Sequence, residues 1–200
     1  NMFIMPNDPS FEGRDIEKVY FEVVDNIQQH INIPVALKIG TYFSGLANTF
    51  IELSKSNISA MVLFNRFYSP DVNLEKEEIQ ASHIFSNPED VSNSLRWIGM
   101  LSDKVQCDLA ASTGVHDGYA VLKNLLVGAK ATHVVSAIYK NSPKFIKTML
   151  EQMEEWMENK GYKSIEDFRG NLSQSNMKQP MMFERAQFMK YHSNYNDAQY

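Results

Sequence analysis

Two short apolar runs, each closed by a polar residue, constrain this chain more than any other feature. They are Ile33-Pro34-Val35-Ala36-Leu37-Lys38-Ile39 and Ala60-Met61-Val62-Leu63-Phe64-Asn65-Arg66, and an amphipathic segment separates them. This pattern is typical of buried parallel strands that alternate with helices. Ligands of such sheets and barrels bind at the carboxyl ends of the strands. We therefore expect Lys38 and Asn65 to be neighbours over one site.

The composition is that of a globular protein. Of the 200 residues, 44% are hydrophobic and 22% are charged, which supports a sizeable core. The 19 basic and 24 acidic residues give a formal net charge of -5, so we expect no nucleic-acid partner. Cys107 is the only cysteine, which excludes an internal disulfide and fits a cytoplasmic location. Apolar runs stay shorter than the roughly 20 residues of a membrane helix, so we expect no membrane partner.

Predicted strands and helices alternate along the chain. Apolar runs predict strands at 2–5, 34–39, 60–64, 108–112 and 131–137. Periodicity and capping signals predict helices at about 15–30, 45–57, 87–101 and 117–126, and from 145 to an end at Gly161. The long connection 66–86 holds two segments, 72–74 and 78–80, that suit a hairpin. About five strand and helix units in succession predict an α/β barrel or a doubly wound sheet.

The same series predicts one domain over 1–173, because no linker divides it. A polar, Met-rich tail follows over 174–200, and we expect it to pack on the barrel or to be partly flexible. At the other end, the chain begins with Asn1 and enters an apolar, strand-like run at once. Since a domain seldom opens in mid-strand, we expect an N-terminal portion to precede Asn1.

The polar strand ends occur in a characteristic order. They read Leu37-Lys38, Phe64-Asn65, Ser112-Thr113-Gly114-Val115 and Val135-Ser136-Ala137. In this order the chain resembles the dihydroorotate dehydrogenases, which are FMN-dependent barrels. Two further phrases are closer to a dihydroorotate dehydrogenase-like branch, Asn65-Arg66-Phe67-Tyr68 and Arg169-Gly170-Asn171-Leu172-Ser173.

The resemblance covers nearly the whole chain and implies both a fold and a function. The fold would be a TIM (β/α)8 barrel, of which this chain holds about the last five units, with three more before Asn1. The function would be that of an FMN-dependent dehydrogenase, associated with pyrimidine metabolism, that oxidises a dihydroorotate-like or other small planar substrate.

The resemblance also implies roles for particular residues. Those matched to the flavin ring or the FMN phosphate are Asn1, Lys38, Phe64, Thr113, Gly114, Val135 and Ser136. Those matched to the substrate are Asn1, Asn7, Asn65 and Arg66. A lysine at the flavin ring suits hydride acceptance because its charge stabilises the anionic reduced flavin. Backbone amides with a small hydroxyl suit a phosphate dianion.

The chain departs from the family pattern in two places. The family's base is a cysteine or serine, but the matching stretch here is Ile4-Met5-Pro6-Asn7, which has no thiol or hydroxyl. Cys107 starts another strand and would need a different geometry to replace it. The proton-abstracting step therefore has no evident base. In addition, Thr113 and Val135 replace expected glycines, which makes the phosphate turns less permissive of close backbone approach.

Several alternatives stay open. A strand-end lysine also serves as a structural ion-pair partner, or as the Schiff-base lysine of a barrel aldolase or lyase, so Lys38 could have either role. A non-catalytic barrel fragment is the third possibility. The five histidines lack metal-ligand spacing, so we expect no metal. We interpret His133 as a core residue of an apolar strand, whereas His116 lies in the phosphate turn and could face the site.

An incomplete barrel has a consequence for assembly. Barrel closure fixes strand number, tilt and shear together, so five units cannot close an eight-stranded barrel. The terminal strands would then be apolar edges that invite pairing with another chain. We therefore expect a homodimer, the commonest oligomer, in addition to a small-molecule substrate.

Overall fold

The computed structural model describes residues 1–184, in which strands and helices alternate. The strands are β1 (Ala36–Ile39), β2 (Ala60–Leu63), β3 (Pro70–Asn73), β4 (Glu78–Ala81), β5 (Asp108–Ser112) and β6 (Ala131–His133). The helices are α1 (Gly13–His30), α2 (Leu46–Ser54), α3 (Val91–Leu101), α4 (Gly118–Leu126), α5 (Ser136–Asn141) and α6 (Phe145–Lys160). Short 3-10 turns occupy Pro88–Asp90, Ile165–Asp167 and Pro180–Met182.

A four-stranded parallel sheet in the order β1-β2-β5-β6 forms the centre of the fold. The strands are in close register, so that Ile39 of β1 pairs with Leu63 of β2, and Leu63 pairs with Ala111 of β5. All three of these side chains are fully buried. Apolar runs without alternation are typical of such strands, because both faces of a parallel sheet are buried. The carboxyl ends of the strands therefore lie along one edge of the sheet.

Capping residues that are visible in the sequence lie at the helix starts and ends that we predicted. Asn87 and Asp90 form a capping box before α3, and the Asp117 side chain accepts a hydrogen bond from the Ala120 amide at the start of α4. Gly161 ends α6 in the left-handed conformation, with φ 74°. The predicted hairpin is also confirmed, because β3 and β4 pair antiparallel.

The predicted strand at 2–5 does not form, so the described residues contain four parallel strands where the sequence led us to expect five. One backbone bond, from the Met2 amide to the Lys38 carbonyl (2.8 Å), links this segment to β1. Phe3 instead turns outward, is 50% exposed and stacks on Phe67 with ring centroids 4.2 Å apart. Pro6 then removes a donor from any longer ladder.

The last strand is shorter than predicted. We expected it to run from Ala131 to Ala137, but β6 ends at His133 and Ser136 begins α5. Val135 leaves the extended conformation, with φ -124° and ψ -66°, so the chain turns into the helix there. Ala137 is still fully buried, which explains why the apolar run looks like a continuous strand in the sequence.

Residues 174–184 lie against α3. The Gln174 amide donates to the Gly99 carbonyl (2.8 Å), and the Gln174 side chain accepts a bond from Lys104 Nζ (2.6 Å). The Phe183 ring covers Gly99, where a Cβ atom would overlap it. The rest of the predicted tail, 185–200, lies outside the described residues, and the division of the chain at 173 stays a prediction.

Candidate functional site

A cavity of about 270 Å³ opens at the carboxyl ends of the four parallel strands. We call it the first cavity. Every strand contributes to it: Lys38 from β1, Asn65 after β2, Ser112 from β5 and His133 from β6. The two predicted phosphate turns, Thr113-Gly114 and Val135-Ser136, also line it. The topology thus brings together most of the predicted site residues, because parallel strands end along the same edge.

The first cavity has a positive lining. Lys38 and Arg66 line it, and no carboxylate among the described residues does. Within residues 1–184, no carboxylate lies within 4.0 Å of the Lys38 ammonium group either, so its charge is available to a ligand. The pKa of His133 is lowered, first by the partial loss of solvent around its ring and then by the positive charge of Lys38. A neutral imidazole therefore lies beside a lysine in a cavity that suits an anion.

The Asn65 amide is held in one orientation. Its Nδ2 donates to the Met2 carbonyl (2.8 Å) and to the Lys38 carbonyl (3.4 Å). Its backbone amide donates to the Ile39 carbonyl (2.8 Å). Among the described residues, Oδ1 has no hydrogen-bond partner. Asn65 can therefore offer a fixed acceptor to a ligand, and it is the neighbour of Lys38 that the sequence led us to expect.

The turn after β5 has a backbone conformation that favours glycine. Thr113 has φ 80° and Gly114 has φ 76°. A Cβ atom on Gly114 would lie 2.7 Å from Asp90 C and Val91 Cα, and nearer still to Val91 N. The left-handed conformation costs a non-glycine residue about 1–2 kcal/mol. Thr113 adopts the left-handed conformation despite this cost, and its hydroxyl donates a hydrogen bond to the Phe64 carbonyl (3.3 Å).

A hydrogen-bonded group of three side chains joins the two turns. Ser86 Oγ lies 3.0 Å from His116 Nε2 and donates to Ser136 Oγ (3.0 Å), and the Ser86 amide also donates to Ser136 Oγ (3.0 Å). Ser86 is buried and lines the first cavity. Sequence reasoning pointed to His116 and Ser136 but missed Ser86. No local signal marks this serine, because it lies in the connection between the hairpin and α3.

His133 is not the core residue that we expected. It is exposed, and it lines the first cavity at the end of β6. The reason is its position, since His133 is the last residue of β6 and therefore lies at the carboxyl end of the sheet, where the cavity opens. The strand-end rule that selected Lys38 and Asn65 would have found His133 if the strand had been predicted to stop there.

Arg66 is engaged by the protein. Its Nη1 donates to the carbonyls of His83 (3.0 Å) and Ile84 (3.3 Å), and its Nε lies 3.6 Å from Asp90 Oδ2. These bonds tie the segment after the hairpin to the turn before α3. The guanidinium therefore has a structural role in addition to lining the cavity.

A larger cavity of about 470 Å³ adjoins the first. We call it the second cavity. The two share four lining residues, Asn65, Arg66, Ser112 and Thr113. Phe64, which the resemblance assigns to the flavin ring, lines only the second cavity and packs in the core against Phe50, with ring centroids 6.0 Å apart.

Two predicted site residues lie apart from both cavities. Asn1 and Asn7 are exposed and line neither one. Met5, two residues before Asn7, is 46% exposed. Among the described residues, therefore, the N-terminal segment adds no polar side chain to the strand-end site.

Cys107 cannot serve as a base in this arrangement. It precedes β5, at the opposite end of the strand from Ser112. At about 3.3 Å per residue, this separation is roughly 16 Å. Burial and the nearby charge of Asp108 raise the pKa of its thiol to about 11. A thiol that is distant and protonated at neutral pH cannot remove a substrate proton.

The described residues show two further absences. No helix in residues 1–184 has the length and apolarity to cross a membrane. In the same part of the chain, no group of three or more His, Cys, Asp or Glu side chains could hold a metal ion.

Comparisons with known sequences identify the relatives of this chain. No family model matches it. It is 23% identical over 164 residues to the catalytic subunit of dihydroorotate dehydrogenase B (NAD(+)) of Caldicellulosiruptor saccharolyticus, covering 80% of this chain and 54% of that protein. It is 32% identical over 69 residues to dihydroorotate dehydrogenase A (fumarate) of Lactococcus lactis, covering 34% of this chain and 22% of that protein. The chain thus spans about half the length, or less, of these relatives.

A solved structure has a similar fold. The crystal structure of Eimeria tenella DHODH in complex with ferulenol superposes with a TM-score of 0.58 at 10% identity, covering 80% of this chain and 48% of that one. This likeness implies a TIM-barrel fold, to which the parallel sheet of residues 1–184 corresponds. By sequence, the chain is similar to the C-terminal region of the dihydroorotate dehydrogenases, and its fold is similar to that of the Eimeria tenella protein.

Proposed function

We propose that the protein containing this chain is an FMN-dependent oxidoreductase of the dihydroorotate dehydrogenase kind, and that the first cavity holds part of the flavin. The observation that carries this proposal is the lining of that cavity. It offers Lys38 and several hydroxyls without a carboxylate, at the carboxyl ends of the parallel strands. Because the chain spans only part of its relatives, activity is proposed for the full-length protein.

The residues present fit FMN. Its phosphate is a dianion, and the Thr113-Gly114 turn and Ser136, which line the first cavity together with Ser86, offer backbone and hydroxyl donors. Its ring carries acceptor atoms, and Lys38 offers a cation without a competing carboxylate within 4.0 Å in residues 1–184. This division of positive charge and hydroxyl groups supports the binding of an anionic cofactor.

When bound, FMN would supply the chemistry of hydride acceptance. The Lys38 ammonium would stabilise negative charge as it develops in the site, since a fixed cation in a partly buried cavity is effective there. Asn65 would orient a planar polar molecule through its fixed Oδ1 acceptor. Thr113 and Gly114 would keep the phosphate turn close to the start of α3.

A proton acceptor for dihydroorotate is missing from the position that the resemblance implies. Ile4 and Met5 cannot accept a proton, and Cys107 lies at the far end of β5. Loss of a general base typically lowers the rate by about 10² to 10⁴. We therefore propose that dihydroorotate is a poor substrate. Steady-state oxidation of dihydroorotate at the rate of a pyrimidine-pathway enzyme would contradict this.

The test uses the full-length protein. Purified protein should show flavin absorbance or take up FMN on addition. Lys38→Ala should weaken flavin retention or slow flavin reduction, whereas Lys38→Arg should preserve part of both because it keeps the charge. Lys160→Ala, at the exposed end of α6, is the matched control and should behave as wild type. If no flavin is bound or taken up, the proposal fails. Trapping of a carbonyl substrate on Lys38 by borohydride would favour the Schiff-base alternative instead.

We also propose that the isolated 200-residue chain self-associates. In residues 1–184, β1 and β6 are the edges of the parallel sheet, and unpaired edges favour pairing with another chain. Light scattering on the isolated 200-residue chain should detect dimers or larger species, and a monodisperse monomer would contradict the proposal. A cytoplasmic location likewise stays a prediction.

A further inference from the structure

We propose that the second cavity binds an uncharged, amide-bearing ring and discriminates against a substrate that carries a carboxylate. This inference rests on the proposed function and names the class of substrate. The second cavity shares Asn65, Arg66, Ser112 and Thr113 with the first. A small ring bound there would therefore contact whatever group occupies the first cavity, as a substrate must.

The guanidinium group of Arg66, which lines the second cavity, already binds other groups of the protein. Among the described residues, Arg66 is the only lysine or arginine that lines the second cavity. It donates to the His83 and Ile84 carbonyls and lies 3.6 Å from the carboxylate of Asp90. An arginine that recognises a carboxylate presents a free fork of two parallel N–H groups. Here Nη1 and Nε are engaged by the protein, so neither fork is free, and Asp90 offsets part of the charge that a ligand carboxylate would meet.

The cavity also presents negative charge of its own. Glu89 and Asp90 both line it. Asp90 is partly neutralised by Arg66 and accepts a hydrogen bond from the Asn87 amide (3.0 Å). Glu89 has no cation within 4.0 Å in residues 1–184. A ligand carboxylate placed in this cavity would meet like charge without compensation, and repulsion of this kind opposes binding.

The remaining lining favours neutral polar groups. Asn65 offers a fixed Oδ1 acceptor, and Asn93 adds a second side-chain amide. Amides can both donate to ring carbonyls and accept from ring N–H groups. Aromatic side chains, Phe64 and Tyr42, provide apolar walls. A few polar groups set among apolar walls are what a small planar ring requires.

The test compares two ligands that differ only in one carboxylate, uracil and orotate. Each is titrated calorimetrically into the full-length protein, with flavin content measured separately. We expect uracil to bind about fivefold more tightly than orotate, since Glu89 is exposed and like charges a few ångströms apart in water have about this effect. Glu89→Gln should strengthen orotate binding and so lower the ratio of the orotate and uracil dissociation constants several-fold. Glu75→Gln is the matched control in the hairpin turn, outside both cavities, and should leave the ratio unchanged.

Each other outcome counts against the proposal. Orotate binding as tightly as uracil overturns it, as does the absence of binding by both ligands. If uracil is preferred but Glu89→Gln leaves that preference unchanged, the second cavity is not the site of discrimination, and the proposal is overturned. The test does not depend on the missing base, because it measures binding of products rather than turnover. Absence of flavin contradicts the proposed function instead, so the two failures are distinguishable.

Discussion

The turn after β5 allows a quantitative test of how the site is built, through the substitution Gly114→Ala. Gly114 has φ 76°, and a Cβ atom there would lie 2.7 Å or less from backbone atoms of Asp90 and Val91. Gly161 has nearly the same φ, 74°, but nothing lies within 4 Å of its would-be Cβ. The two glycines thus share a backbone conformation and differ in the space around them.

The expected magnitudes follow from this difference. Gly161→Ala should lower the free energy of unfolding by about 1–2 kcal/mol, which is the cost of the left-handed conformation. Gly114→Ala carries the same cost. It must also displace the backbone where α3 begins, and overpacking of this kind costs about 1–3 kcal/mol. We therefore expect Gly114→Ala to be more destabilising than Gly161→Ala by about 1–3 kcal/mol.

The assay is urea unfolding of the full-length protein and its two variants, with the difference taken from the midpoints at a common slope. Because Gly114 lines the first cavity, its variant should also retain less flavin, whereas Gly161→Ala should not. If the two variants are equally destabilised, the close contact between the turn and α3 is not a real constraint, and this account of the turn is wrong.

Three further predictions concern individual side chains. Ser86→Ala should weaken FMN more than riboflavin, which lacks the phosphate, because Ser86 supports Ser136; equal effects in a flavin titration would contradict this. The pKa of His133 is lowered in the folded state, so the unfolded chain binds this proton at a higher pH, and stability should fall as the pH drops through about 6.5. His133→Gln should flatten that part of a stability-versus-pH curve, and an unchanged curve would refute the assignment. Alkylation of Cys107 should be slow at pH 7 and rise steeply towards pH 11, and rapid labelling at neutral pH would disprove the raised pKa.

The elements that local sequence specifies were predicted well. Asn87 with Pro88, Asp117 and Gly161 are capping signals, and they act through hydrogen bonds to backbone groups a few residues away. The hairpin in the 66–86 connection is likewise a local structure. Such signals need no knowledge of the rest of the chain, so they can be recognised in the sequence alone.

Two strand predictions were wrong, because an apolar segment can be buried in more than one kind of secondary structure. The runs at Met2–Met5 and Val134–Ala137 look like strands, but the first makes one backbone bond to β1 and the second turns into α5. An apolar residue is buried equally well in a strand, a turn or a helix. Which of these occurs depends on the partners available in three dimensions.

For the site, the sequence by itself determined the polar strand ends, because parallel strands that alternate with helices must end along one edge. That is why Lys38 and Asn65 could be predicted to share a cavity, to which the family resemblance added Thr113 and Ser136. Only the tertiary structure decided the rest: that Ser86 bridges the two turns and that Arg66 is committed to backbone carbonyls and Asp90. These contacts join residues far apart in the chain, and their geometry depends on how the connection 66–86 returns to the strand ends, which no local pattern encodes.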